Sequence, residues 1–524
     1  MLNKIRNELG IPYLRFGFAI ASATVAMWIF HYWFDYLIIT NQGVLSWHIA
    51  YHLCSVPMGA LAYLGFLRKK NSFHVTISSG VLVYIFMGVS ALIADPLIGI
   101  ITFLLVGFFV GIVLAALFPL VATLVPSIEI RGFSMSSHHQ LIAIVSIIGV
   151  LLSTALEMIG FFLFYLINGL VLLLLGLSVP SRDLEQVPPD IDLPIVHQIK
   201  NRELVPAYLV SLFLGFFFTS IYYSILDFLV KQTAIPDLRF IQVITFFLVI
   251  FIVASPLGKI ADKIGRKVVI LAGIYLQGIA LVLTAVIPDL NLLTILVIIT
   301  PLLAIGVEAG IFLGFLIISE LTPETGRRTY SGITSIFFGC GMTLGLILSE
   351  AVQTGASQSP LTLNFVLLLM YFTYTLVVVL VKEPLPSRAE REWHSKIREL
   401  LVISKSGLPL FHHSFSVGGE EIDSALTSGA LTGINQLIPE ITRQDTRLKV
   451  VKQENFCVLF EHSSRITLAL LAVEDLAILR KKMRSFLAEF ELFFGKLIDQ
   501  WMGDTIVFSP AERLVKTNFS YENT

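Results

Sequence analysis

The stretch "GKIADKIGRK", residues 258–267, packs five charged residues into ten positions between two apolar runs. Around it the chain of 524 residues is 56% hydrophobic and 14% charged, with a mean hydropathy of +0.83. Soluble domains carry about 25% charged residues. The composition therefore predicts an integral membrane protein, and the burst of charge predicts an aqueous turn between two spans.

A helix needs roughly 20 apolar residues to cross the hydrocarbon core. That pattern recurs at about 14–38, 45–67, 73–95, 97–125, 140–157, 159–178, 204–230, 239–256, 267–287, 292–319, 329–349 and 361–382, which predicts twelve spans. The basic opening "MLNKIRNELGIPYLRFGF" runs into the first of them without a small-residue cleavage site, so it reads as part of the mature chain rather than a secretory signal. Alternate inter-span ends carry Lys4 and Arg6, Arg68 to Lys70, Arg131, Arg182 with Lys200 and Arg202, the opening stretch, Arg327 with Arg328, and Lys382; the opposite ends hold Lys231 and Arg239. Positive charge is retained on the cytoplasmic side, so both termini are expected there, in a multi-pass protein of the cell membrane.

The long segment 180–204 divides the spans into six and six, and the halves repeat. Pro126, Arg131 and Ser134 after the fourth span recur as Pro323, Arg328 and Ser331 after the tenth, and Asp35 on the first span recurs as Asp227 on the seventh. The expected organisation is a six-helix bundle at 1–178, a linker at 179–203, a second six-helix bundle at 204–383, a short linker at 384–397, a soluble α/β domain at 398–515 and a tail at 516–524.

Gly258, Ile260, Asp262, Gly265, Arg266 and Lys267 make the opening stretch resemble the loop signature of the major facilitator superfamily. In that family the signature lies between the second and third helices and often again between the eighth and ninth, the position found here. The resemblance implies a 6+6 α-helical membrane fold and a latch that closes an inner gate. Physically, Gly258 lets helices approach closely, and Asp262 is placed to meet a cation or a helix N-terminus. The first-half copy, "GALAYLGFLRKK" (59–70), is degraded, with Tyr63 in the aspartate position and Phe66 in that of the second glycine. "ELTPETGRRTYSG" (320–332) also resembles a turn of this family, in which Glu320 or Glu324 is expected to answer Arg327 or Arg328. Topology signalling alone is the competing explanation for these charges.

Ionisable residues inside spans are expensive, at least about 2.5 kcal/mol each when unpaired, and each is a functional candidate. Glu308 sits mid-span between Gly306 and Gly310 and reads either as a substrate or proton group or as a neutral carboxyl bonded to a neighbouring helix. His31 with Asp35, and His48 with His52, are pairs four apart on consecutive spans and suit proton coupling, with interfacial anchoring as the alternative. Asp227 follows Tyr222 and Tyr223 at an outer mouth, while Glu157 and Glu350 read as interface anchors. No phosphate-binding loop is present, and Cys54, Cys340 and Cys457 offer no disulfide framework or zinc spacing. His138 and His139 are adjacent and do not share a helix face. The sequence thus points away from an enzyme, a metal protein or a cofactor.

From Pro384 on, 17 basic and 18 acidic residues fall within 141 positions. This region reads as two strands, a helix, three strands and a helix. That order, with "SKSGLPLFHHSF" and the late "WMGD", resembles the longin-like, profilin-like domains of membrane-trafficking proteins, which implies a partner-binding module for a cytoplasmic protein such as a small GTPase. Near-neutral charge excludes nucleic acid as an expected partner. The combined expectation is a secondary active transporter of a small solute in the lipid bilayer, proton-coupled, with a regulatory or docking domain. The rival is a receptor or scaffold on the same fold that no longer transports.

Overall fold

In the computed structural model the residues described are 55–92, 96–124, 130–137, 139–140, 143–144, 147–148, 151, 163, 165–167, 169–170, 172–174, 204–220, 238–287, 291–321, 326–354, 360–415, 423–443, 448–454 and 456–519. The chain divides into two units, Met1–Leu385 and Pro386–Thr524.

The first unit is helical. Its principal described helices are α1 (Ser55–Leu67), α2 (Ser72–Leu92), α3 (Pro96–Leu124), α4 (Val205–Ser220), α5 (Leu238–Ile264), α6 (Arg266–Val286), α7 (Leu292–Leu321), α8 (Arg327–Thr354) and α9 (Pro360–Leu380). Among the described residues five helices are long and apolar enough to cross a membrane, and shorter apolar stretches accompany them. Side chains such as Val286, Leu293, Phe365 and Phe372 are more than 60% exposed, the pattern of a surface solvated by lipid rather than water.

Hydrocarbon supplies no hydrophobic drive between helices, so close packing must hold them, and small residues provide it. A Cβ on Gly111 of α3 would run into the Val56 carbonyl of α1, and one on Gly215 of α4 would meet Phe338 of α8. Gly273 of α6 packs against the backbone of Ala309 and Gly310 in α7, a helix that contains two π-helical turns, Ile295–Ile299 and Glu308–Phe312. The second of these loosens the backbone beside Glu308, and Tyr374 of α9 donates its hydroxyl hydrogen to the Gly310 carbonyl at 3.1 Å.

The chain at 258–264, expected as a turn, is instead helix. α5 runs through Pro256 to Ile264 and ends only at Gly265, whose φ of +114° costs any other residue strain.

The second unit carries a five-stranded antiparallel sheet in the order β2-β1-β5-β4-β3, built from β1 (Ile397–Ser404), β2 (Pro409–Ser414), β3 (Val450–Lys452), β4 (Cys457–His462) and β5 (Ile466–Ala472). α10 (Ser424–Thr442) lies on one face, capped by Asp423, which accepts from the Ala425 and Leu426 amides. α11 (Ala477–Asp499) and α12 (Ala511–Phe519) belong to the opposite face. Leu479, Met483, Phe486, Phe490 and Phe494 recur at helical spacing and fill the core between α11 and the sheet. Within 384–397, read as a linker, Trp393 is buried in that same core, with Lys482 Nζ 4.4 Å from its ring centre. The element order is the expected one, and α12 extends the packed structure to Phe519.

Phe486 is fully buried. Phe486→Ala in the full chain should destabilise the second unit by about 3–5 kcal/mol. Hydrogen exchange should show lost protection along α11 and the sheet, with the helices of the first unit unchanged.

Candidate functional site

A run of polar contacts joins the second half of the membrane unit to the stretch 130–140 of the first half, and two of them are built on buried carboxylates of the signature stretch and of α7. The first is built on Asp262. Its Oδ1 accepts from the Gly132 amide at 2.9 Å and its Oδ2 from the Phe133 amide at 2.7 Å. These amides open the short helix at 131–137, so the carboxylate caps a helix N-terminus that belongs to the other half. The approach needs two glycines. A Cβ on Gly132 would lie 2.6 Å from Asp262 Oδ1, and one on Gly258 would lie 2.8 Å from Ser136 Cβ.

Arg266, one turn on, is completely buried, and burial of a guanidinium demands counter-charge. Its Nη1 lies 2.6 Å from Asp262, while Nε and Nη2 donate to Glu320 at 3.3 and 3.2 Å. Glu320 in turn meets Arg131 Nη1 at 3.8 Å. Two carboxylates and two guanidiniums thus alternate in charge, three of them from the second half and Arg131 from the first, and their formal charges cancel. Glu320, expected to answer Arg327 or Arg328, answers Arg266 and Arg131 instead because burial places it between them.

The remaining motif residues have separate duties. Glu383, just past α9, accepts from the Arg266 and Lys267 amides at 3.1 and 2.9 Å and so caps α6; a Cβ on Gly265 would come within 3.0 Å of its carboxylate. Lys267 returns the favour by donating to the Val379 and Val381 carbonyls at the end of α9. Arg327 opens α8, and Arg328 donates to the Arg68 carbonyl at 3.2 Å, next to an Arg68 to Thr329 hydrogen bond at 3.4 Å. Lys259 stands 4.8 Å from the Phe133 ring centre.

The second contact is deeper. His139 Nδ1 and Glu308 Oε1 are 2.9 Å apart, and Glu308 is fully buried at the start of the π-helical turn. Between the two lies Ser137 to Ser255, hydroxyl to hydroxyl at 3.3 Å, and just past His139 the Gln140 amide donates to the Phe251 carbonyl at 2.7 Å. Gln277 of α6 is also buried, in contact with the helix of Glu308 at Gly306. Among the described residues no group of three His, Cys, Asp or Glu side chains forms a metal site.

Of the other candidates, His31, Asp35, His48, His52, Asp227, Tyr222, Tyr223, Glu157, Glu324 and His138 lie outside the described residues. Sequence reasoning missed His139, Gly132 and Glu383. His139 stood beside a second histidine at a span edge, and only the fold reveals the carboxylate opposite; Glu383 could have been suspected from "VKEP", an acid directly after the last apolar run.

A model of the Major Facilitator Superfamily matches residues 207–444, a range that passes from α4 through the rest of the membrane unit into the second unit. Among solved structures, the transporter FucP of that superfamily, crystallised in the outward conformation, superposes with a TM-score of 0.52. The overlay covers 72% of this chain and 99% of that one, at 12% identity. The chain carries the major facilitator superfamily fold. No curated protein matches it in sequence. The signature stretch of the second half faces the first half, so its aspartate, placed on a helix, holds an inter-half contact.

Removing one partner of a buried ion pair costs about 3–5 kcal/mol. Asp262→Asn keeps the side-chain shape but loses the charge that Arg266 needs and one of two acceptor positions. In a Ser137→Cys/Ser255→Cys background, oxidative cross-linking between the halves should become several-fold slower when Asp262→Asn is added. Unchanged cross-linking would remove the latch role.

Proposed function

We propose that this facilitator is a secondary transporter that carries a small solute by alternating access, that protons drive it, and that Glu308 with His139 is the proton-binding element. The observation that carries the reading is the His139–Glu308 contact, an ionisable pair buried in the interior and shared between the two halves. An isolated charge is costly there, and the contact gives each group a polar partner. A proton taken up by the pair weakens the attraction between the halves, and its release restores the contact. A proton is thereby linked to the separation of the bundles, which is what coupling requires.

Asp262, Arg266, Glu320 and Arg131 serve as the latch at the charged end, with Gly258, Gly265 and Lys267 setting its geometry, Arg328 bracing the neighbouring seam at Arg68 and Arg327 a proposed further contributor at the start of α8. His31, Asp35, His52 and Asp227 remain proposed contributors to coupling or substrate binding. The sparse charge in the spans suits a neutral, amphiphilic or singly charged solute. The protein is proposed to reside in the cell membrane with both termini in the cytoplasm. Residues 398–515 serve as a longin-like regulatory module that docks a cytoplasmic protein such as a small GTPase.

Purified protein in liposomes tests this directly, using solutes chosen by their ability to raise its thermal stability. The wild type should accumulate its solute when the proton gradient points along the transport direction. Glu308→Gln should abolish that accumulation and retain exchange of solute for solute, and His139→Gln should weaken the dependence on the gradient. Wild-type uptake indifferent to the gradient would overturn proton coupling. Absence of any flux, with partner binding intact, would place the protein among non-transporting receptors.

A further inference from the structure

The sheet of the second unit is incompletely covered. A cavity of about 300 Å³ lies between it and the middle of α10, where the β1–β2 turn and the β4–β5 turn come together. Register brings the turns side by side, since Ser404 pairs with Ile466 across β1 and β5 and His462 pairs with Thr467 across β4 and β5. The floor is apolar: Ile403 and Phe460 come from the strands and Leu431 from α10, while Ile466 borders the cavity with its side chain in the core of the other face.

The rim is polar and its sign is biased. Lys405 is an ammonium group, and none of the lining residues is acidic. Asn435 accepts from the Leu448 amide at 3.3 Å through its Oδ1, which leaves its NH₂ group as a donor. Thr432 and Gln436 follow the same side of α10 and add a hydroxyl and a second amide. His462 has both ring nitrogens engaged, with the Leu448 carbonyl at 2.8 Å and the Thr467 hydroxyl at 3.1 Å, so it shapes the wall and is held in place by it. Both turns are fixed locally: Ser404 Oγ accepts from the Leu408 amide, and Ser463 Oγ accepts from the Arg465 and Ile466 amides. The cavity is therefore walled by ordered backbone.

We propose that this cavity is a ligand site for a small organic anion, a monocarboxylate of about ten non-hydrogen atoms, a size suited to the lower end of ligand-pocket volumes. The carboxylate meets Lys405 and the amide and hydroxyl donors of α10, and the apolar body rests on Ile403, Leu431 and Phe460. One cation and a shallow apolar floor match a single negative charge. A nucleotide would exceed the volume and demand more than one cation. The assignment is independent of the transport reading, because every residue in it belongs to the second unit.

Phenylacetate is a suitable probe, with phenylacetamide as its neutral counterpart. Equilibrium dialysis of the full-length protein in detergent should show one saturable phenylacetate site and much weaker binding of the amide. Leu431→Trp fills the cavity and should abolish binding. Lys405→Gln should weaken it by about fivefold, the scale of a partly exposed ion pair. Gln436→Glu, an exposed change that leaves the core untouched, should weaken it as well through like-charge repulsion. Glu308→Gln should leave it unchanged, which separates this site from the transport pathway. No saturable binding, equal binding of the amide, or binding indifferent to Lys405→Gln and Gln436→Glu would overturn the proposal.

Discussion

The Asp262 carboxylate takes two backbone N–H groups from the opposite half of the membrane unit, and much of the seam between the halves is arranged around that contact. In hydrocarbon a helix N-terminus has no water to satisfy its amides, so the cap is strong while the seam is dry. Once water enters, carboxylate and amides are solvated separately and the contact costs little to open. This asymmetry suits a gate. It also dictates neighbours: a buried aspartate needs Arg266, a buried Arg266 needs Glu320, and the approach of the two backbones needs glycine at 132 and 258.

The stretch 130–140 carries both inter-half contacts, the capped amides at one end and His139 near the other. A change at the Glu308 pair therefore acts on the same chain segment that receives Asp262. Ser137 bonds to α5 between these points and Gln140 just beyond His139, so the segment is tied at several positions and has little freedom to respond at one end alone. Communication in this account is mechanical and short. It requires two arrangements of the segment, one tied and one released, whose balance both sites bias.

The membrane fold was legible because the physical demand of the bilayer is written in composition, and the signature stretch marked the half of the chain to which it belongs. Glu308 was legible for the same reason, as a charge in an apolar span. Its partner was not. His139 lies 169 positions away in sequence, and nothing local distinguishes it from an interfacial histidine. The turn expected at 258–264 became helix because only Gly265 has a conformation that breaks it; a cluster of charge marks neither the end of a helix nor, at Asp262 and Arg266, exposure to water. Glu320 shows the opposite error, since nearness in sequence suggested Arg327 or Arg328 where burial selected Arg266. In the second unit strand and helix periodicities were plain, but the cavity under α10 arises from how two turns meet, which periodicity does not encode.

The central claim is that protonation at Glu308 controls separation of the halves at the latch end. Spin labels at Lys70→Cys and Ile264→Cys, one in each half, report that separation as a distance distribution by pulsed electron resonance in liposomes. The account predicts a short and a long population whose ratio shifts as pH is lowered, with Glu308→Gln fixing the ratio at every pH. A single distance at all pH values, or a pH response that survives in Glu308→Gln, would contradict it.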